Sequence, residues 1–283
     1  MAVTNRGTVL VAVAAAIICA SGLSGQAVTP VSRANSVSFY PIAELTKDDT
    51  VQPSLRGARV ADPKDWPASF YSLHPGGSCT STLVGPRAML TAAHCVPNNG
   101  TAQVRLAGHV YNGTCTQSSK YQSGDISADW AVCLMNSDVP VDLYETVNGD
   151  SALLKKGTEV LLTGFGCTDE MGGGGNDGIY RVGESKIDKL PSSQGNDIET
   201  VGEVALCFGD SGGGAFLFLD PQKKQRVQIS VNSRIQTLDN GKLGQRSFLS
   251  SVSTTDARNF LSGWAATNNA AICGLTAGSS KCR

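Results

Sequence analysis

Two short segments, far apart in the chain, restrict the folds that it can adopt. The first is LTAAHC, residues 90–95, and the second is CFGDSGG, residues 207–213. A serine hydroxyl is a poor nucleophile until a neighbouring base takes its proton, so Ser211 needs a base such as His94 beside it. The chain is therefore expected to fold so that the two segments meet.

The order of the two segments excludes one common class of hydrolase. Residues 209–213 also satisfy G-x-S-x-G, the nucleophile elbow of α/β-hydrolases, in which the histidine follows the serine along the chain. The three histidines, His74, His94 and His109, all precede Ser211. The sequence is incompatible with that class and agrees with the order histidine, acid, serine.

The two segments resemble the catalytic segments of the chymotrypsin/trypsin-like serine protease family. The resemblance implies a serine endopeptidase that acts on protein or peptide substrates, with His94 as general base and Ser211 as nucleophile. The segment that begins with Asp129, DWAVCL, is similar to the family's acid segment, which implies that Asp129 orients the histidine. Asp125 is the rival acid, but no apolar run follows it.

The resemblance also implies an oxyanion hole and an activation step. Gly209 and Ser211 would supply backbone N–H groups to the oxyanion. Asp210 would pair with the ammonium of a new N-terminus after an activating cleavage. Residues LRGA resemble the family's mature N-terminus and place that start at Leu55; a start at Val60, after a basic residue, is the alternative.

Four residues are expected in the specificity pocket because they align with family positions: Ala205, Ser233, Ile235 and Ser247. Ala205 would lie at the pocket floor, where an uncharged methyl leaves a substrate cation unpaired at a cost of several kcal/mol. This argues against trypsin-like specificity. Ile235 stands where the family often has glycine and would narrow the entrance. The expected substrate has a small or medium apolar residue before the scissile bond.

Eight of the nine cysteines lie beyond the N-terminal apolar run, and an even number in an exported chain predicts four disulfides. The family resemblance implies Cys79–Cys95, beside His94. No cysteine lies between Ser211 and the cysteine at 273, so the family's usual partner for the cysteine at 207 is missing. The remaining expected pairs are Cys115–Cys133, Cys167–Cys207 and Cys273–Cys282.

The N-terminus predicts export. Arg6 precedes a short apolar run and then small residues, which is typical of a signal peptide, here residues 1–27. The run is shorter than the roughly 20 residues needed to span a bilayer, so a membrane anchor is the weaker alternative. We expect a secreted or periplasmic protein, a pro-segment over residues 28–54 and, from the WP dipeptide at 66–67, a bacterial-type member of the family.

Composition and strand pattern predict an all-β fold. The chain has 32 glycines and only 17% charged residues, and short apolar runs alternate with turn residues. The resemblance adds two packed six-stranded antiparallel β-barrels, at about 55–150 and 151–252, and a C-terminal helix and tail over 253–283. The helix is expected to begin with Thr255 as N-cap.

Charge and motifs limit the partners. With 23 basic and 24 acidic residues, the chain gives no sign of nucleic-acid binding. The motifs require neither a metal nor a cofactor, and a monomer is expected. A second hypothesis is a catalytically silent, toxin-like or binding protein on the same fold, which the unusual pocket residues favour and the intact catalytic segments oppose.

Overall fold

The computed structural model describes residues 35–42, 45, 55–173, 178–276 and 279–283. The predicted signal peptide lies outside these residues, as do parts of the predicted pro-segment and of the run of four glycines. Within the described residues no helix has both the length and the apolar character that crossing a membrane requires.

The described part of the chain forms fourteen β-strands and two α-helices. In chain order they are β1 Ser36–Pro41, β2 Arg59–Val60, β3 Ser69–His74, β4 Gly77–Gly85, β5 Ala88–Thr91, β6 Thr101–Leu106, β7 His109–Gln117, α1 Ser119–Gln122, β8 Ala131–Met135, β9 Glu159–Gly164, β10 Arg181–Lys189, β11 Asp197–Val201, β12 Gly214–Phe218, β13 Arg226–Thr237, β14 Leu243–Ser251 and α2 Thr255–Asn268.

The first barrel closes in the order β1-β3-β4-β5-β8-β7-β6, so its described strands number seven. Six of them correspond to the expected antiparallel barrel. The additional strand is β1, which pairs antiparallel with β3 and parallel with β6. Its residues fall inside the range predicted as a pro-segment; that domain boundary stays a prediction.

The second barrel contains the expected six strands. They follow the order β11-β14-β13-β12-β9-β10, and pairing of β10 with β11 closes the ring. The two-residue strand β2 adds to the outer edge of β10. The predicted all-β fold with two barrels and a C-terminal helix is confirmed, with one strand more than expected in the first barrel.

Alternating side chains explain the strands of both barrels. In β6, for example, Ala102 and Val104 are buried, whereas Thr101 and Arg105 are exposed. This period-two pattern buries one face of each strand against the barrel interior. The interior of the first barrel includes the fully buried Trp130.

Four aromatic rings form a separate aromatic cluster, defined as Trp66, Phe165, Tyr180 and Phe216. The ring centroids of Trp66 and Phe216 are 5.2 Å apart, and those of Phe165 and Tyr180 are 4.9 Å apart. All four side chains are buried. Tilted and edge-on pairs at such distances add to the stabilisation from burial alone.

A buried ion pair lies beside the aromatic cluster. Arg226 on β13 donates to both carboxylate oxygens of Glu145, at 3.1 and 2.5 Å. Its guanidinium also stacks 3.5 Å from the ring centroid of Trp66 and donates to the carbonyl of Asp65. Glu145 is fully buried, so each charge depends on the other for its solvation.

The C-terminal helix begins one residue earlier than expected. Thr254, not Thr255, is the N-cap, and its hydroxyl accepts a hydrogen bond from the N–H of Ala257. Two adjacent threonines offer the same capping chemistry, and the backbone of the first adopts the extended conformation that a cap requires. Leu261 and Trp264 are buried on one face of the helix.

All four predicted disulfides are present: Cys79–Cys95, Cys115–Cys133, Cys167–Cys207 and Cys273–Cys282. The first links β4 to the turn that follows β5, and the second joins the neighbouring strands β7 and β8. The third connects the loops after β9 and before β12. The loop before β12 carries Ser211, which belongs to the candidate site described next.

Candidate active site

His94 and Asp129 are joined by two hydrogen bonds. His94 lies in a single 3-10 turn, Ala93–Cys95, directly after β5, and Asp129 lies just before β8. The backbone N–H of His94 donates to Asp129 Oδ1 at 3.0 Å, and His94 Nδ1 is 2.7 Å from Asp129 Oδ2. The second contact assigns the proton to Nδ1, which leaves Nε2 free to accept one.

The surroundings of Asp129 favour its ionised form. Only 1% of Asp129 is exposed, and this burial acts to raise its pKa. The hydrogen bonds from His94 and the charge of its ring oppose that effect, as does the Ser233 hydroxyl, which donates to Oδ2 at 2.7 Å. Together they hold the pKa of Asp129 below its ordinary value. The carboxylate can thus stabilise an imidazolium.

Asp125, the rival acid, faces a different set of groups. Its Oδ1 accepts from the backbone N–H of Ser127 at 3.0 Å and from the Ser127 hydroxyl at 2.6 Å. Its other oxygen accepts from the side-chain amide of Asn196. These contacts stabilise the turn before Asp129 and involve no histidine.

Ser211 and His94 line one cleft of about 420 Å³ between the barrels' facing loops. The loop that carries Ser211 packs directly on β4, where the N–H of Thr80 donates to the Ser211 carbonyl at 2.7 Å. A Cβ on Gly212 would lie 2.2 Å from Thr91 Oγ1, so only glycine fits after the serine. Close packing of this turn fixes the position of the backbone at Ser211.

Gly209 adopts a backbone conformation that favours glycine, with φ of +104°. Its carbonyl accepts a hydrogen bond from the Thr80 hydroxyl at 2.9 Å, which orients the peptide unit. In the described part of the chain, neither the Gly209 N–H nor the Ser211 N–H donates to a protein acceptor. Both N–H groups are available to an oxyanion. Sequence reasoning missed Thr80, because its contacts depend on how β4 packs against this loop.

Asp210 is fully buried beneath the same loop. Its two oxygens accept from the N–H groups of Gly166 at 2.8 Å and Cys207 at 2.7 Å. Burial raises its pKa to about 7, although these hydrogen bonds and the charges of Arg181 and Arg56 oppose the shift. The carboxyl group therefore lacks enough positive charge nearby to ionise as readily as a solvated aspartate.

Two glycines of the loop after β9 make room for this carboxyl group. A Cβ on Gly164 would lie 2.1 Å from Asp210 Oδ1, and one on Gly166 would lie 2.6 Å from Asp210 Cγ. Real atoms do not approach so closely. Residues 163–166, TGFG, thus require glycine at positions 164 and 166 because the Asp210 side chain occupies the space.

Leu55 contacts the loop after β9, which also donates a hydrogen bond to Asp210. It is fully buried in the interior of the second barrel, and its N–H donates to the carbonyl of Cys167 at 3.1 Å. Cys167 directly follows the glycine that donates to Asp210. Val60, the alternative N-terminus, is 57% exposed on β2.

The next residue, Arg56, joins this segment to the cleft region. Its backbone forms an antiparallel bridge with Ala205. Its guanidinium donates to the carbonyl of Leu243 at 2.8 Å and to that of Gly244, at the start of β14. The sequence pattern predicted no role for this arginine.

The structure brings two of the four expected pocket residues to the cleft. Ser233 and Ile235 line it, whereas Ala205 and Ser247 are fully buried. The Ser247 hydroxyl accepts from the N–H of Leu206 at 2.9 Å, so it is engaged with the cleft wall. The complete lining is His94, Leu206, Cys207, Phe208, Ser211, Ser233, Arg234, Ile235 and Thr237.

The lining has one charged group whose partner the sequence did not reveal. The guanidinium of Arg234 pairs with Asp197 on β11 and donates to the carbonyl of Ile126. Burial raises the pKa of Asp197, while the charge of Arg234 acts in the opposite direction. Asp197 lies in no recognisable motif, and only the pairing of β11 with β14 places it here.

One group of potential metal ligands occurs among the described residues. It consists of Cys79, His94 and Cys95, whose ligand atoms lie within 4.8 Å of one another. Both sulfur atoms belong to the Cys79–Cys95 disulfide, which removes the thiolates that metal binding needs. The group does not fit a metal.

Comparison with known proteins agrees with this geometry. The family profile described as Trypsin matches residues 56–241. The chain is 29% identical to brachyurin of Leptuca pugilator over 181 residues, 56% of this chain and 79% of that protein. It is 26% identical to the suppressor of tumorigenicity 14 protein homolog of Bos taurus over 203 residues, 58% of this chain but only 23% of that protein.

A solved structure shares the fold. A mutant of human heparin binding protein superimposes with a TM-score of 0.56 and 17% sequence identity, over 74% of this chain and 95% of that one. At this level of identity the likeness concerns the fold alone.

Proposed function

Since the chain belongs to the trypsin family, we propose that it is an exported serine endopeptidase whose catalytic residues are His94, Asp129 and Ser211. The observation that carries this proposal is the His94–Asp129 pair, with Nδ1 2.7 Å from Oδ2, in one cleft with Ser211. A buried, ionised carboxylate behind the imidazole makes Nε2 an effective proton acceptor.

The proposed reaction proceeds in two halves. Ser211 Oγ attacks the scissile carbonyl carbon while His94 Nε2 takes the hydroxyl proton, and the N–H groups of Gly209 and Ser211 receive the oxyanion. Collapse of the tetrahedral intermediate expels the amine, which takes its proton from His94. Water then attacks the acyl carbon with His94 again as base. Breaking of the ester bond releases the carboxylic acid, and His94 returns the proton to Ser211 Oγ.

Substrate selection is proposed to favour a small or medium apolar residue before the scissile bond. Ile235 packs against the Cys167–Cys207 disulfide and lines the cleft, where it reduces the space for a side chain. The cation in the lining, Arg234, is already paired with Asp197. In the described cleft lining no carboxylate is present to bind a substrate lysine or arginine.

Specificity can be measured with peptide substrates that differ only in that residue. We expect higher kcat/KM for alanine, valine or leucine than for arginine. Ile235→Gly should raise kcat/KM for phenylalanine substrates because it removes the side chain that narrows the cleft. A preference for arginine in the parent enzyme would refute the proposed selectivity.

Activation is proposed to follow cleavage before Leu55. The buried Leu55 nitrogen already donates to Cys167, next to the loop glycine that contacts Asp210. A free ammonium at this nitrogen would provide the positive charge that the Asp210 carboxyl lacks in the intact chain, where its pKa is about 7. An ion pair there would fix the loop that carries Gly209 and Ser211.

Export, a protein or peptide substrate and a monomeric state complete the proposal. Four disulfides within the described residues are typical of proteins outside the reducing cytosol. The bacterial subtype stays a prediction, since the relatives reported above are arthropod and mammalian.

The decisive experiment is labelling with a fluorophosphonate, which reacts only with an activated serine. The exported protein is compared with Ser211→Ala and with Ser123→Ala, before and after limited proteolysis; Ser123 is exposed and does not line the cleft. Labelling that disappears only in Ser211→Ala supports the proposal, and labelling that requires cleavage supports activation. Absence of labelling in both states would leave a non-catalytic protein on a protease fold.

A further inference from the structure

Strand β1 belongs to the barrel although it lies upstream of the proposed activation site. We propose that the segment around Ser36–Pro41 stays bound as a noncovalent strand of the first barrel after cleavage before Leu55. The active enzyme would then consist of two polypeptides. This inference rests on the proposed cleavage site.

Both edges of β1 pair with neighbouring strands, β3 on one side and β6 on the other. Phe39 lies opposite Ser72 of β3 on one side and Val104 of β6 on the other. In the closed order of the barrel, β1 stands between β3 and β6 and completes the ring. Its departure would leave the N–H and C=O groups of two strand edges without their partners.

The side chains of β1 are also part of the interior. Val37 is 1% exposed and Phe39 is fully buried, and both belong to the core of the first barrel. Ile42, just after the strand, packs with Trp66 and Tyr180 of the aromatic cluster. The segment thus contacts two separate apolar cores, and its release would expose both.

No covalent bond would retain the segment after cleavage. Residues 28–54 contain no cysteine, and all four disulfides join residues downstream of Leu55. Retention therefore depends on strand pairing and burial alone. This predicts a complex that survives in native buffer and separates in denaturant without reduction.

The test uses the exported full chain carrying Ser211→Ala, with residues 50–54 replaced by the recognition site of a site-specific protease that cuts directly before Leu55. The cut protein is passed over a gel-filtration column, and each peak is analysed by mass spectrometry. We expect the upstream fragment to co-elute with the protease domain and to separate in guanidinium with the disulfides intact. An upstream fragment that elutes alone in native buffer overturns the proposal.

Matched substitutions separate burial from nonspecific adhesion. Phe39→Ala removes a fully buried ring and should raise the dissociation constant of the two fragments at least about 100-fold. Tyr40→Ala truncates the adjacent, half-buried ring and should change it less than about tenfold. Equal increases in the dissociation constant for the two variants would show that the buried face of β1 does not hold the fragment. If Phe39→Ala is not exported, Phe39→Leu provides a milder loss of the same ring.

This result is independent of catalysis. The Ser211→Ala background cannot cut itself, and the added protease makes the cleavage whether or not the chain is an enzyme. Release of the fragment would therefore leave the serine endopeptidase proposal standing, whereas failure of fluorophosphonate labelling would leave the strand retention standing.

Discussion

The buried Asp210 predicts an unusual dependence of stability on pH in the uncleaved chain. Its pKa is about 7 in the folded protein against an ordinary value of 3.8, so the folded state holds the proton more tightly than the unfolded state. This stabilisation is fully present below pH 3.8 and is lost as the pH rises through 7. Each pKa unit corresponds to about 1.4 kcal/mol, which makes the total loss about 4 kcal/mol.

The assay is urea unfolding of the intact chain in the Ser211→Ala background, compared with the same protein carrying Asp210→Asn. Asparagine does not titrate, so the other ionisable groups cancel in the difference between the two proteins. Between about pH 5 and pH 8, the free energy of unfolding of the parent should fall by about 3 kcal/mol relative to Asp210→Asn.

The same comparison after cleavage tests the proposed ion pair. An ammonium on Leu55 would favour the ionised carboxylate and lower the pKa of Asp210, so the relative loss of stability at higher pH should disappear. A difference between parent and Asp210→Asn that stays constant across this range in the intact chain would refute the reasoning. It would mean that the carboxyl group is already ionised or hydrated before activation.

Three further substitutions probe other contacts. Gly164→Ala introduces a Cβ 2.1 Å from the buried carboxylate and should abolish fluorophosphonate labelling, whereas Gly263→Ala, with no atom within 4 Å, should not. Asp129→Asn should lower kcat by about 10⁴-fold in a peptide assay without unfolding the protein, because the imidazole loses the partner that sets its tautomer; unchanged kcat would exclude it as the acid. Glu145→Gln leaves the buried Arg226 and the neighbouring Arg283 without their anion and should cost about 3–5 kcal/mol by urea unfolding. Combining Glu145→Leu with Arg226→Met and Arg283→Met should recover most of this loss, and no recovery would contradict the pairing.

Contiguous sequence motifs made the family and the disulfides predictable. His94 and Ser211 lie in motifs whose neighbouring residues are required by the structure. Gly212, for example, follows the serine because any side chain there would clash with Thr91. The four pairings followed from an even cysteine count, from the family's disulfide beside the histidine, and from the position that the resemblance implies for the loop carrying Cys167. The cap at Thr254 was missed by one residue because Thr255 has the same chemistry.

Other features depend on contacts between distant strands, which local patterns do not encode. Arg234 meets Asp197 only because β11, β14 and β13 are neighbours in the second barrel. Likewise, Ala205 and Ser247 align with pocket positions but are buried behind the residues that line the cleft. Alignment gives the backbone position, while side-chain size and hydrogen bonding decide what reaches the surface.

Strand β1 did carry a local signal. Val37 and Phe39 alternate with Ser36, Ser38 and Tyr40, which is the period-two pattern of a half-buried strand. The polar and proline-rich residues around it favour the interpretation of residues 28–54 as a pro-segment. The polar composition of residues 28–54 as a whole does not reflect the alternation of apolar and polar side chains within Ser36–Pro41.

The contact between Arg56 and the carbonyls of Leu243 and Gly244 connects ligand binding near the start of β14 with docking of the segment that begins at Leu55. None of the four described disulfides involves a residue of β14. The start of this strand is therefore held by noncovalent contacts, among them the hydrogen bonds from the Arg56 guanidinium. A ligand that stabilises the start of β14 would also favour docking of the segment that follows the N-terminus proposed at Leu55, because coupling between two sites is reciprocal. If cleavage occurs before Leu55 as proposed, binding of substrate in the cleft and docking of this segment would therefore stabilise each other.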